Sequence, residues 1–299
     1  MGLLTLVRFA ILVALRRTSA DWRLQTAAGL GLVLAAALMA SGVIYSNALS
    51  ETALQHTLRS ASDEELNLTV RTVRTLERPV FNATSQYVNA HVRRPLSPYL
   101  QDSILLIQTS TLYFTDMPEQ TPTHPERPRG SLQAIADLGD RVRMVEGRLP
   151  EPAREEVEVV IDSLGASALD LPVGGLVGIF SAIRGNPEST LPIRVVGIFE
   201  PLEPLDPSWQ FSTRERLTNI DREWITLPMH TGFDALFDTV GAAFPGLSSD
   251  FTWLFITDQE GLRASEADEL RATLLGAIGD VRNNLPSSSW ETDLDEVLN

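Results

Sequence analysis

Hydrophobic positions in this chain fall into three textures. The first is unbroken: residues 24–45, LQTAAGLGLVLAAALMASGVIY, run for twenty-two positions without a charge. At about 1.5 Å per residue such a helix reaches roughly 33 Å, enough to cross a hydrocarbon core of about 30 Å. Only a helix satisfies its own backbone in lipid, so the pattern predicts one membrane span. A cleaved signal sequence and a buried helix of a soluble protein are the alternatives. A signal's apolar region usually ends within about 15 residues, and Ala40 with Leu38 two residues before it makes a poor cleavage site.

The second texture is helical spacing among polar residues. Leucines and alanines at 49, 53, 54, 58 and 61 extend the span into a helical stalk, 46–65. Residues 82–100 carry Tyr87, Val88, Val92 and Leu96 on one helix, whose end Pro95 and Pro98 should break. Shorter helices are predicted at 163–169 and 233–240. The clearest covers 265–285, with Leu270, Leu274, Ile278, Val281 and Leu285 in one stripe and Ser265 with Asp268 placed as a capping box. The third texture is strand-like. It comprises 66–76, a strand pair at 104–107 and 112–114, then 156–161, 176–181, 192–199, 225–228 and 251–256.

Between them, residues 117–130 hold Pro118, Pro122, Pro125 and Pro128 and read as an exposed loop, the best internal boundary. The fold class is therefore α+β. One N-terminal transmembrane helix precedes an external body whose halves, 66–116 and 223–285, flank a β-rich insertion at 131–222. An acidic segment, 286–299, follows. At the other end, residues 1–23 include a thirteen-residue stretch, 3–15, that is nearly all apolar and stops at Arg16 and Arg17, too short to span, and read as an amphipathic helix on the cytoplasmic interface.

Charge sets the orientation. Arg8, Arg16, Arg17 and Arg23 precede the span against Asp21 alone, while Glu51, Asp63, Glu64 and Glu65 follow it. The positive-inside rule keeps the N-terminus in the cytoplasm and sends 46–299 outside. Within the span Ala27, Gly31 and Ala35 recur every fourth residue, a candidate stripe for helix packing. The net charge is −15; four arginines and one aspartate give +3 up to residue 45, so the part beyond the span carries −18, which argues against nucleic acid and anionic lipid surfaces as partners. Cysteine and lysine are both absent, which fits a bacterial envelope protein from a GC-rich genome.

Catalytic patterns are missing. His56, His91, His124 and His230 are never three to five residues apart, so no zinc pair is offered. A G-x-S-x-G elbow, an H-E-x-x-H helix and a phosphate-binding lysine loop are all absent. Glu291, Asp293, Asp295 and Glu296 lack the glycine of a calcium loop and read as the acidic first turn of a helix. No catalytic residue, metal ligand or cofactor site is predicted, and the chain is not expected to be an enzyme.

One block carries a signature. VEGRLPEPAREEVEVVIDSLGASALDLPVGGLVGIF, followed by LPIRVVGIFEPLEPLDPSW, resembles the extracytoplasmic core domain of MacB/FtsX-like ABC transporter permeases. In that family a G-R-x-P turn precedes an E-V-x-V strand, then an alanine-bearing helix, an L-x-V-G-D turn and a V-V-G-I-F strand. Gly147, Arg148 and Pro150 match the first element, and Glu158, Val159 and Val160 lie in the second. Residues 166–171 with Val173 and Gly174 match the third, and Val196, Gly197 and Phe199 the last. Gly175 departs where the family usually has aspartate. The resemblance implies a porter-like α+β part with an inserted β-rich subdomain. It also implies a cytoplasmic ABC ATPase subunit and a second permease copy as partners, and export or envelope control as the output. Three later spans are expected in that family and none follows Leu285. A single-span extracytoplasmic binding or sensor protein is the other reading of the same pattern.

Overall fold

The structure is a computed structural model that describes residues 22–115, 128–152, 156–181, 190–210, 216–221 and 224–298. The interfacial helix expected at 1–23 and the proline loop at 117–130 lie outside these residues, apart from their last positions. The chain divides into two units, residues 1–56 with Arg263–Ser265, and residues 57–262 with Glu266–Asn299.

Most of the first unit is helix α1 (Trp22–Ser60). From Thr26 it is long and apolar enough to cross a membrane, with a mean hydropathy of 2.2 in its most apolar window. Leu32, Leu38 and Met39 are exposed, as lipid-facing side chains would be. The hydroxyls of Thr26, Ser41 and Thr52 donate back to the carbonyls of Trp22, Leu38 and Ala48, so they are satisfied within the helix. Farther along, the Ala264 amide donates to Glu51 Oε2 at 2.9 Å.

The expected stalk stops short of Glu65. The helix ends at Ser60, and a new turn, Asp63–Leu66, begins beyond it. Ser62 and Glu65 cause the restart: the Ser62 amide donates to Glu65 Oε2 at 2.7 Å, and the Glu65 amide donates to Ser62 Oγ at 3.4 Å. That reciprocal pair is a capping box, which nucleates a fresh helical turn.

The second unit is built on one mixed sheet. Its strands are β1 (Leu68–Thr75), β2 (Leu100–Thr109), β3 (Leu112–Phe114), β4 (Arg129–Ile135), β5 (Val142–Gly147) and β6 (Val157–Asp162). After them come β7 (Leu176–Phe180), β8 (Leu191–Pro201), β9 (Asn219–Ile220), β10 (Ile225–His230), β11 (Ser248–Thr257) and β12 (Ser288–Glu291). The order is β12-β1-β11-β2-β4-β3-β7-β8-β6-β10-β9, with β5 on β8 and an additional pairing of β4 with β10. That last pairing closes β4, β3, β7, β8, β6 and β10 into a ring, while β12, β1, β11 and β2 remain an open antiparallel sheet. β4 belongs to both. The predicted strand pair at 104–107 and 112–114 is thus corrected: β2 and β3 each pair with β4, through Leu106↔Ile135 and Leu112↔Gly130. The insertion boundaries change for the same reason, because the ring takes β3 and β10 from outside 131–222.

Helix α2 (Arg78–Val88) and helix α4 (Ala267–Asn284) accompany the open sheet, and α3 (Ser163–Leu169) follows β6. Helix α2 starts earlier than expected and does not break at Pro95. It widens into a π-turn, Asn89–Arg93, and resumes through Arg94–Leu96. Proline has no N–H for the carbonyl four residues back and crowds it, and a five-residue repeat just before it relieves that crowding. Another π-turn, Ala235–Val240, replaces most of the helix expected at 233–240. The capping box expected at Ser265 and Asp268 does not form, since Glu266 is the N-cap residue and makes no side-chain cap bond. Of the acidic segment, Glu291 lies in β12, and Asp295 with Glu296 occupies the first turn of Leu294–Val297.

Two cores flank β2 and β11. On one face Phe81 of α2 packs on Phe237 and Phe251, at centroid distances of 5.1 and 5.5 Å. On the other, Ile104, Leu106 and Leu254 join Ile135, Val160, Val196 and Phe199 in one buried cluster.

Candidate functional site

The four stretches of the signature block meet around β8. Gly147 ends β5 with φ 77° and lies beside Gly197 in the β5–β8 register. A Cβ on Gly147 would collide with the Val196 carbonyl oxygen, and one on Gly197 with the Arg148 carbonyl oxygen and the Met144 side chain. Two backbones run that close only where no side chain intervenes. The Arg148 amide then donates to Val196 O at 3.0 Å.

Arg148 reaches from this turn to β6. Its Nη1 and Nη2 donate to the two carboxylate oxygens of Glu158, each at 2.7 Å, and the Glu151 amide just past Pro150 donates to Glu158 Oε2 at 2.8 Å. The first two elements of the signature are therefore joined by a bidentate pair. Hydrogen bonding from Arg148 holds the Glu158 carboxyl below the ordinary carboxylate range, against the opposing effect of desolvation. A depressed folded-state pKa contributes stability above the unfolded value, lost as pH falls through the folded one. Glu158→Gln should accordingly flatten the acid limb of the thermal unfolding midpoint below about pH 4, the unfolded glutamate range.

The third element joins on the other side. Gly174, with φ 86°, donates to Val195 O at 2.7 Å, and the Val195 amide donates to Gly175 O at 2.9 Å. Arg194 pairs with Glu156 and donates to the Gly174 carbonyl. Hydrogen bonding from Arg194 lowers the Glu156 pKa in its turn.

Beneath β6 lies a buried polar set that the sequence did not single out. Asp162 Oδ1 accepts from the Gly165 amide and so caps α3, while Oδ2 accepts from the Thr218 amide and hydroxyl at 2.7 and 2.6 Å. Buried Arg216 donates to Gln108 Oε1 at 2.6 Å, and Gln108 and Gln133 both donate to Ser131 Oγ. His230 Nε2 is 2.9 Å from the Arg216 carbonyl oxygen, and the ring stands edge-on to Phe199 and Trp209. Burial pushes its pKa down to about 4, so it is neutral near pH 7. Aspartate directly before S-L-G was a readable N-cap signal for this set. A lone histidine was not.

The remaining histidines do not converge: His91 lies 3.3 Å from Asp280 on the surface, His56 is on α1, and His124 falls outside the described residues. Among the described residues no group of three or more histidine, aspartate or glutamate side chains is placed to hold a metal ion. Ala27, Gly31 and Ala35 occupy successive turns of α1, all exposed.

A scan against protein-family models gives no match, and a search of curated proteins gives none. Among solved structures the chain is similar to a domain of a proposed permease protein from Porphyromonas gingivalis. The two are 11 % identical over 77 % of this chain and 87 % of that one, with a TM-score of 0.32. A score of that size carries no argument about fold or function.

Proposed function

We propose that this chain is the N-terminal and extracytoplasmic part of an FtsX-like ABC transporter permease. In this reading α1 crosses the cytoplasmic membrane of a bacterium once, with its arginine-rich end inside, and the body from residue 46 onward lies outside. A cytoplasmic ATPase subunit and a second permease copy drive its motion, for export or for control of an envelope partner. The chain itself performs no covalent chemistry. One observation carries the reading: the residues that resemble the family's signature, Gly147, Arg148, Glu158, Gly174 and Gly197, bond to one another or meet around a single strand. Gly147 and Gly174 have positive φ and Gly197 sits at a close strand approach, which supports reading these residues as one structural unit rather than a chance string.

Purification of the tagged, full-length gene product from its native membrane tests it. An ATP-hydrolysing subunit is expected to co-purify in stoichiometric amount, together with a second permease copy. Recovery of the chain alone, under gentle detergent that preserves a known transporter complex, would overturn the reading. Topology is checked separately: protease added to spheroplasts should digest the body and spare an N-terminal tag. A body cleaved only after lysis would invert the orientation.

A further inference from the structure

The geometry points to a recognition groove for the carboxy-terminal end of an extended peptide, lying between α2 with its π-turn and the uncovered part of the open sheet. The groove has a volume of about 440 Å³, within the roughly 300–1,000 Å³ of small-ligand sites. One wall is a file of hydrogen-bonding side chains, Asn82, Ser85, Gln86, Asn89 and Arg93. Among the described residues none of the five makes a side-chain hydrogen bond or ion pair. The floor is apolar, made by Phe81, Leu105 and Trp253.

Length suits an extended ligand. Successive members of the file, from Asn82 to Gln86, Asn89 and Arg93, rise by about 4.5–6 Å along the helix. An extended chain presents equivalent groups on one side about every 6.6–6.8 Å. Carboxamides offer both a donor and an acceptor, which peptide groups require of a partner. From Asn82 to Arg93 the wall covers roughly 16 Å, the length of about five extended residues. Leu105 and Trp253 lie below, where alternate side chains of such a peptide would point.

Charge selects the end. The chain carries 39 acidic residues, yet none of the thirteen lining side chains is aspartate or glutamate. Arg93 is the one charged member, at the far end of the file, and among the described residues it has no ion-pair partner. A guanidinium there recognises a carboxylate through two parallel hydrogen bonds. The π-turn supplies the position, because its extra residue displaces Arg93 from the register of a regular helix. This binding does not depend on the permease reading and is measured without any ATPase.

The test uses the full chain in non-ionic detergent and fluorescence polarisation of an amino-terminally labelled Val-Ala-Leu-Ala-Leu peptide. The free acid should bind saturably and at least about tenfold more tightly than the carboxy-terminal amide, the increment of one charge-assisted hydrogen bond. Arg93→Gln should bring the acid to the amide's affinity and leave the amide unchanged. Asn89→Ala should weaken both peptides. Near-ultraviolet circular dichroism of the variants should match the wild type, since Arg93 is exposed and Asn89 half-buried. Equal affinity for acid and amide, an Arg93→Gln variant that keeps the gap, or no saturable binding would each overturn the inference. So would preferential binding of trigalacturonic acid, which would make the groove a sugar site.

Discussion

Gly147→Ala is expected to destabilise the body by about 3–5 kcal/mol, while Gly174→Ala should cost only about 1–2 kcal/mol. Both glycines have positive φ, 77° and 86°, so alanine at either site meets the same backbone penalty. Their surroundings differ. A Cβ at 174 has nothing within 4 Å, whereas one at 147 drives into the Val196 carbonyl, which is also the acceptor for the Arg148 amide. Relief requires β5 to move off β8, and that movement breaks the Gly147↔Gly197 register and draws Arg148 away from Glu158. Against a total stability of about 5–15 kcal/mol, the larger loss should lower the yield of folded protein and the smaller should not. Thermal unfolding of the two variants side by side measures the difference. Equal midpoints would mean that backbone conformation, and not the close approach of two strands, dictates glycine at 147.

These glycines show what a sequence makes visible. The long apolar helix was legible because its hydrophobic run is unbroken, and the turns around β8 because glycine at a tight crossing has few substitutes. β4 was not legible. Its sequence, RGSLQAI, neither alternates nor forms a run of apolar residues, because the strand is buried on both faces beside polar partners. Ser131 Oγ accepts from both Gln108 and Gln133, and the Leu132 amide donates to Thr109 Oγ1. Polar residues that hydrogen-bond to one another in a core look, in one dimension, like a loop. β4 then joins the ring to the open sheet, so missing one strand hid the closure that moves the domain boundaries. β5 was hidden otherwise: at Arg143, Glu146 and Gly147 it is exposed, and its pattern carries little burial signal. The two π-turns have no composition of their own. The groove beside α2 followed suit, since asparagine and glutamine on a helix read as solvated face until the sheet opposite them is placed.

Lowering the pH from 6.5 to 4 should remove about 3 kcal/mol of stability through His230 alone, at 1.36 kcal/mol for each unit between its unfolded and folded pKa. The sign follows from proton uptake. The unfolded chain protonates this histidine near pH 6.5, while the folded body holds it neutral until about pH 4, so the unfolded state binds the extra proton across that window and gains from acid. The cause is structural. The ring lies wholly inside the body, against Phe199 and Trp209, with Nε2 on the Arg216 carbonyl and the Arg216 guanidinium opposing a second positive charge. Asp162 pulls the other way but is occupied by Gly165 and Thr218. Carboxylates such as Glu158 enter only near the bottom of the range, so the limb between pH 6.5 and 5 isolates the histidine. Unfolding midpoints of the wild type and His230→Phe across that limb provide the check. Phenylalanine keeps the edge-on aromatic contacts and leaves the Arg216 carbonyl without its donor, which lowers stability at pH 7 by about 1–3 kcal/mol. It cannot take up a proton, so its profile should run nearly flat where the wild type falls. If both profiles fall together, the acid sensitivity lies elsewhere, and the closed ring tolerates a charge beneath β6 that its packing should forbid.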